Sequence, residues 1–265
     1  MATLLDMTHS GNRHEKLENI KQILRKFPLT YNVARRTYRL FRGPDPTIQQ
    51  RIVMALGQKR KVFFLQVGSN DGLQGDPIHD LIINHKTWAG IFIEPVEFLF
   101  QRLKKNYEDA DRFVFENVAI GNEKGTKRFF YVSDKAKDEL ELPYWHDQLG
   151  SFDKNHILQA LGDQLSPYII EEEIECLPLQ DVLDRNQVAA IDLIHIDTEG
   201  FDYKVLSQVD LNRYKPSVIL FEHSLLVDGE MEKARSLLHK AEYRLFEYGA
   251  DTLAVRWRHR SFWIL

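Results

Sequence analysis

Two apolar runs in the second half of the chain each end in acid and imidazole: Ile194-His195-Ile196-Asp197-Thr198-Glu199 and Val218–Phe221 followed by Glu222-His223. If both runs are strands, side chains alternate, and His195 shares a face with Asp197 while Ile194 and Ile196 take the other. Ligands of parallel sheets bind outside the C-terminal strand ends, so Asp197, Glu199, Glu222 and His223 are expected at one mouth. Such a group could take a proton from a hydroxyl and orient the oxygen for attack. His223 is the first candidate base because imidazole titrates near neutrality, with His195 second and Asp197 beside them. Asp197, Glu222 and His223, completed by water and substrate hydroxyls, would alternatively make a hard, mostly oxygen site for magnesium or manganese. The plainer reading is that Asp197-Thr198-Glu199-Gly200 caps the next helix and that Glu222 and His223 hold their loop.

Upstream, the apolar run Val62–Val67 opens into Gly68-Ser69-Asn70-Asp71-Gly72, and the run Trp88–Ile93 ends in Glu94-Pro95. A strand ending in a glycine turn, then a strand ending in a carboxylate, is how a doubly wound sheet holds an adenosine ribose. Dinucleotide sites need G-x-G-x-x-G and triphosphate sites a glycine loop closing on Lys-Ser/Thr; neither is present. Hydroxyl, amide and carboxylate between two glycines suit a zwitterionic amino-acid moiety better than a phosphate chain. S-adenosylmethionine is such a ligand. Asp71 could face its ammonium, and Glu94 could accept from both ribose hydroxyls. Taken singly, the two stretches are a tight loop and a helix-start acid; together and in this order they point to a nucleoside cofactor.

The elements that must position these groups alternate regularly from Lys61 onward. Strands are expected at Val62–Val67, Gly90–Ile93, Phe113–Ile120, Ile191–Ile196 and Val218–Phe221, with helices at Val96–Tyr107, Tyr203–Val209 and Gly229–Lys240. Tyr243–Tyr248 and Thr252–Trp257 read as two strands around Gly249-Ala250-Asp251. The fold class is therefore α/β, a mostly parallel Rossmann-like sheet closed by a C-terminal antiparallel hairpin, as in class I methyltransferases. Lys127–Val132 and Glu175–Leu179 are expected to extend that sheet. They belong to an insertion at about 127–180, whose stretch Asp134–Ile170 carries Tyr144, Trp145, His146, Ser151, Phe152, Asn155 and His156, which could line an acceptor pocket or only pin a surface loop.

Residues 1–60 read as a helical extension ahead of a domain at 61–265. One helix is expected at 14–27 and a second, basic one at Tyr31–Phe41 with Arg35, Arg36 and Arg39. A solvated basic face is the plain reading; a lid, a dimer arm that makes a homo-oligomer, or a patch for an anionic acceptor or membrane surface is the sharper one. The 265 residues, 43% hydrophobic and 28% charged, suffice for one α/β core with elaborations. A net charge of −4 gives no general attraction to nucleic acid. The lone Cys176 excludes an internal disulfide framework and a cysteine-rich zinc site. Without a segment of bilayer length or a basic leader in Met1–Asp6, a cytoplasmic protein in a reducing compartment is expected.

The chain resembles the FkbM-like methyltransferases over roughly residues 61–225. The resemblance rests on Leu65-Gln66-Val67-Gly68-Ser69-Asn70-Asp71-Gly72, Ile93-Glu94-Pro95, Asn117-Val118-Ala119-Ile120-Gly121 and Leu179-Gln180-Asp181-Val182-Leu183. It continues in Ile194–Asp202, in Phe221-Glu222-His223, and in Gly150-Ser151-Phe152, where the family carries a serine-containing motif. Two departures, His195 in place of a frequent Lys and Ser-Asn-Asp in place of Ala-Asn-x, bear on the acceptor rather than the cofactor. The resemblance implies S-adenosylmethionine held by Gly68, Ser69, Asn70, Asp71, Gly72, Glu94, Asn117, Val118, Ala119 and Asp197, and O-methylation of a sugar, glycan or natural-product hydroxyl. Two rivals differ in kind: an NAD-dependent sugar-modifying enzyme, and a catalytically silent methyltransferase-like domain that binds a partner through the N-terminal helices.

Overall fold

The computed structural model describes residues 45–257, apart from 108, 109, 134, 144 and 145. The expected helices at 14–27 and 31–41, with Tyr144 and Trp145, lie outside the described residues. The first helix described, α1 (Ile48–Leu56), opens on a reciprocal cap: Gln50 N donates to Thr47 Oγ1 at 3.2 Å, and Thr47 N donates to Gln50 Oε1 at 3.0 Å. Its Ile52 and Leu56 are buried in the core of the compact unit that holds Thr47 onward.

Seven strands make the main sheet: β1 (Val62–Val67), β2 (Trp88–Ile93), β3 (Phe113–Glu116), β8 (Leu193–Ile196), β9 (Val218–Glu222), β10 (Tyr243–Tyr248) and β11 (Asp251–Arg256), in the order β10-β11-β9-β8-β1-β2-β3. All pairs are parallel except those of β11, which runs antiparallel to both β9 and β10. This is the mostly parallel sheet with a terminal hairpin expected of a class I methyltransferase. Its central strands β1 and β8 are apolar apart from Gln66 and His195 because helices cover both faces. On one face Leu65, Val67, Ile194, Ile196, Ile219 and Phe221 pack against α6 (Leu179–Arg185), α7 (Asp202–Leu206) and α8 (Glu230–Lys240). On the other, Phe64, Phe92, Leu193, Val218 and Leu220 pack against α1, α2 (His79–Asn84) and α3 (Glu97–Asn106).

Two expectations need correction. The run Phe113–Ile120 is not one strand: it breaks after Glu116, where Asn117 turns its amide onto the carbonyls of Glu94 (2.9 Å) and Pro95 (3.1 Å). The remainder, β4 (Ala119–Ile120), joins a second sheet with β5 (Gly125–Val132), β6 (Gly150–Ser151) and β7 (Ile169–Leu177), ordered β4-β7-β5-β6. The extra strands therefore do not extend the main sheet, because β5 and β7 satisfy each other along their antiparallel register from Gly125–Cys176 to Val132–Ile169. Phe129, Tyr131, Ile174 and Cys176 seat this sheet on Val96 and Leu99. The rest of the insertion, including α4 (Ala136–Glu139) and α5 (Lys154–Leu161), has its own small core of Val132, Ala136, Leu149, Ile157 and Leu165. Cys176 is fully buried where the second sheet packs on Val96 and Leu99, and burial pushes its thiol pKa up, as suits an inert packed thiol. No described helix is long and apolar enough to cross a membrane.

Candidate active site

The C-terminal edges of β1, β2 and β8 and the overhanging second sheet enclose a cleft of about 300 Å³. Gly68, Glu94, Pro95, Val118, Ala119 and Ile120 form one side, and Thr198, Glu199, Gly200 and Phe201 another. The insertion supplies Phe129, Ser151, Phe152, Asp153 and His156, and Lys204, Leu225 and Val227 complete the rim.

The glycine turn is tied to the strand beside it. Gly68 N and Ser69 N both donate to Ile93 O at 3.0 Å. Gly68 adopts φ +75°, and a Cβ there would meet the Asp197 carbonyl oxygen at 1.7 Å, so only glycine permits β1 and β8 to end this close together. Asn70, at φ +48°, gives its N–H to Glu94 Oε2 at 2.8 Å, and Val96 N donates to Glu94 Oε1 at 2.9 Å. Glu94 is 3% exposed, and burial lifts its pKa to about 7. Each oxygen has one backbone donor and keeps a lone pair for a ligand.

Other members of the expected cofactor set support the loop instead. The Ser69 hydroxyl is enclosed, donating to Gln66 O and accepting from Ile93 N, both at 3.2 Å. Asp71 does not face the cleft: its Oδ1 accepts from Leu73 N at 3.0 Å and Gln74 N at 2.9 Å, closing the turn. Gly72 packs beneath Leu103 and Tyr107, and its carbonyl accepts the Tyr107 hydroxyl at 2.8 Å. The Asn117 amide is used by the two carbonyls named above, whereas Val118 and Ala119 do line the cleft.

The expected bases are also rearranged. His195 is 3% exposed and sits inside the fold, its Nδ1 3.9 Å from Asp76 Oδ1; burial lowers its pKa to about 4. It is no part of the cleft wall. His223 is turned away, its N–H on Ala250 O at 2.8 Å and its Nδ1 3.1 Å from Thr252 Oγ1. Asp197 directly follows β8, its N–H on Val67 O at 2.9 Å, and its pKa is raised well above the carboxylate range by burial and then by Glu199, Asp202, Glu222 and Asp251. Among the described residues, no three His, Cys, Asp or Glu side chains are placed to hold a metal ion, so Asp197, Glu222 and His223 do not form the expected magnesium or manganese set.

What the sequence reading did not assign is the pair in the wall itself. Glu199 Oε2 lies 4.0 Å from His156 Nε2, on opposite sides of the cleft. Asp202, fully buried, anchors the Glu199 loop by accepting from Thr198 N (3.4 Å) and Gly200 N (3.2 Å). Burial, Glu222 and Asp202 raise the Glu199 pKa to about 8; burial and Glu222 raise that of Asp202 to about 7. The positive φ of Glu199, ahead of a glycine, is the local signal in the Thr-Glu-Gly run.

The Methyltransferase FkbM domain matches residues 66–245. No curated protein sequence matches the chain significantly. Among solved structures, the methyltransferase FkbM of Methylobacillus flagellatus is similar at 14% identity and a TM-score of 0.47, over 74% of this chain and 44% of that one. This chain thus spans less than half of that protein's length. The precorrin-6y C5,15-methyltransferase of Geobacter metallireducens aligns at 11% identity and a TM-score of 0.40, over 81% and 93% of the two chains. A human methyltransferase 10 domain containing protein aligns at 12% identity and 0.42, over 80% and 84%. With the FkbM domain matched over most of its length, the chain belongs to the FkbM methyltransferase family.

Proposed function

We propose that this protein transfers a methyl group from S-adenosylmethionine to a hydroxyl of a small, sugar-like acceptor. The observation that carries the cofactor half is the buried Glu94 carboxylate in the cleft, braced by Asn70 and Val96 with acceptor capacity left over. Two ribose hydroxyls are its natural donors. Ile93, Val118, Ala119 and Ile120 offer the apolar flank that a purine needs. When bound, the cofactor supplies a methyl group on a positively charged sulfur.

The acceptor half of the proposal rests on the wall from the second sheet. Phe129 and Phe152 offer faces for a sugar ring, while Ser151, Asp153 and His156 offer hydrogen bonds. Thr198 and Glu199, which line the same cleft, supply the polar and charged groups that this reading assigns to the acceptor hydroxyl.

The test is isothermal titration of the protein with S-adenosylhomocysteine and, separately, NAD. Micromolar binding of the homocysteine form alone supports the reading. Binding of NAD alone overturns the cofactor, and binding of neither supports the silent-domain alternative. Repeating the titration with EDTA and with added magnesium asks whether any metal contributes.

A further inference from the structure

Glu199 lies on the loop after β8 and His156 in α5 of the insertion, and the two face each other across the cleft. Glu199 is held at φ +52° and Gly200 at φ +93°, backbone that costs about 1–3 kcal/mol at a non-glycine residue. The loop keeps this conformation because Asp202 binds the amides on either side of Glu199. Gly200 also passes close to the Leu225 carbonyl oxygen, which a Cβ there would meet at 3.0 Å, and it lies in contact range of the His156 ring. The His156 Nε2 is shielded from solvent and has no hydrogen-bond partner, yet the residue lines the cleft. A polar atom left this way is costly unless a ligand completes it.

The 4.0 Å between Nε2 and Oε2 is too long for a direct hydrogen bond and matches the span of a single bridging oxygen about 2.8 Å from each. We propose that the acceptor hydroxyl bridges this pair, with Glu199 taking its proton and His156 donating to its oxygen. The proposal rests on the methyltransferase reading above. The O–H bond breaks with the proton passing to Glu199 Oε2, and the oxygen's electron pair forms the bond to the methyl carbon. The methyl–sulfur bond breaks, its pair remaining on sulfur as a neutral thioether; the proton then leaves Glu199 for solvent. Neighbouring strands are about 4.8 Å apart, so the mouths of β2 and β8 stand about 10 Å apart across β1. A nucleoside anchored at Glu94 would therefore direct its sulfur toward Glu199. The raised pKa of Glu199 suits a group that must take up a proton near neutrality.

The experiment compares S-adenosylhomocysteine with the analogue in which an amino group replaces the S-methyl, placing an ammonium where the methyl departs. In the wild-type protein at pH 8.5 the amine is expected to bind about tenfold more tightly than the thioether, the worth of one charge-assisted hydrogen bond. Glu199→Gln should lose most of that preference while binding the thioether within about threefold of wild type. An undiminished preference in Glu199→Gln overturns the proposal, as does loss of thioether binding by a variant that melts normally, which would make Glu199 a cofactor ligand. Absence of thioether binding by the wild type instead overturns the methyltransferase reading.

Should Glu199→Gln fail to fold, the wild-type pH profile decides. The ratio of amine to thioether affinity should rise between pH 7 and 9 as Glu199 ionises; a flat ratio overturns the proposal. The groups facing Glu199 are Asp197, Asp202 and Glu222 from the main sheet and its loops, His156 and Asp153 from the insertion, and Lys204 from α7. Glu94 acts on both ligands alike and cancels in the ratio.

Discussion

Asn70 gives its backbone N–H to the Glu94 carboxylate at 2.8 Å, so the glycine turn of β1 and the acid of β2 form one unit rather than two neighbouring motifs. Removing the acid should therefore damage the loop as well as the ligand site. Glu94→Ala leaves the amides of Asn70 and Val96 without partners in a buried place, at about 1–3 kcal/mol each. The expected outcome is a lower melting temperature together with at least a tenfold loss of S-adenosylhomocysteine affinity, an effect of about 1.4 kcal/mol or more. Unchanged affinity by calorimetry would sink the assignment.

Cofactor affinity should also follow pH through Glu94. Its pKa is lifted to about 7 by burial, and the ionised form is the better acceptor for two hydroxyls. Affinity for S-adenosylhomocysteine should thus rise from about pH 6 to about pH 8 and then level. Glu94→Gln should bind weakly and without that slope, which titrations at three pH values would reveal.

The main sheet was legible because local signals agreed. The run Val62–Val67 is apolar at every position but Gln66 and is stopped by Gly68, and its observed limits coincide with those read from the sequence. The Tyr243–Tyr248 limits coincide as well. The site was legible only where a motif sat at a strand end, as Gly68 and Glu94 do. His223 looked like a base in isolation. What removes it is a non-local register, Asp251 opposite Glu222, which brings Thr252 within reach of the imidazole. His156 was read as a candidate acceptor-pocket residue but not paired with Glu199, because their approach depends on β5 and β7 pairing with each other instead of extending the main sheet. His195 followed the correct alternation, yet the face it shares with Gln66 lies beneath the turn, beside Asp76, rather than at the mouth.

The buried acids make a prediction for stability. Burial, reinforced by Glu222, lifts the pKa values of Asp202, Glu199 and Asp251 to about 7, 8 and 6, all above their unfolded values near 4. Between the unfolded and folded pKa the native state binds more protons than the unfolded chain, so stability falls as pH rises through that window. The melting temperature should drop by on the order of 5 °C between pH 5.5 and 8.5, and Glu199→Gln should reduce the drop. A melting temperature that climbs over this range in both proteins would contradict the burial of these acids.

Gly68 tests the closeness of β1 and β8. In Gly68→Ala the new methyl must occupy space held by the Asp197 backbone carbonyl, 1.7 Å from its ideal position, with φ +75° adding strain. Because the obstacle is main chain in the sheet, no rotamer change relieves it. A loss of more than about 3 kcal/mol is expected, read as a large fall in denaturation midpoint or as failure to fold.

Phe152 tests whether the overhanging wall serves the acceptor. Its ring stands between Phe129, 5.2 Å away in its own sheet, and Phe201, 5.4 Å away on the loop after Glu199. Phe152→Ala breaks the aromatic seam that joins the two sheets at the cleft and should cost about 2 kcal/mol in stability. Glu94, Asn70 and Gly68 do not depend on that seam, so affinity for S-adenosylhomocysteine should remain within about threefold of wild type. Calorimetry and melting of the same variant separate the two effects. A loss of thioether affinity as large as that of Glu94→Ala would mean that Phe152 encloses the cofactor, and the acceptor would then have to enter on the side of Leu225 and Val227.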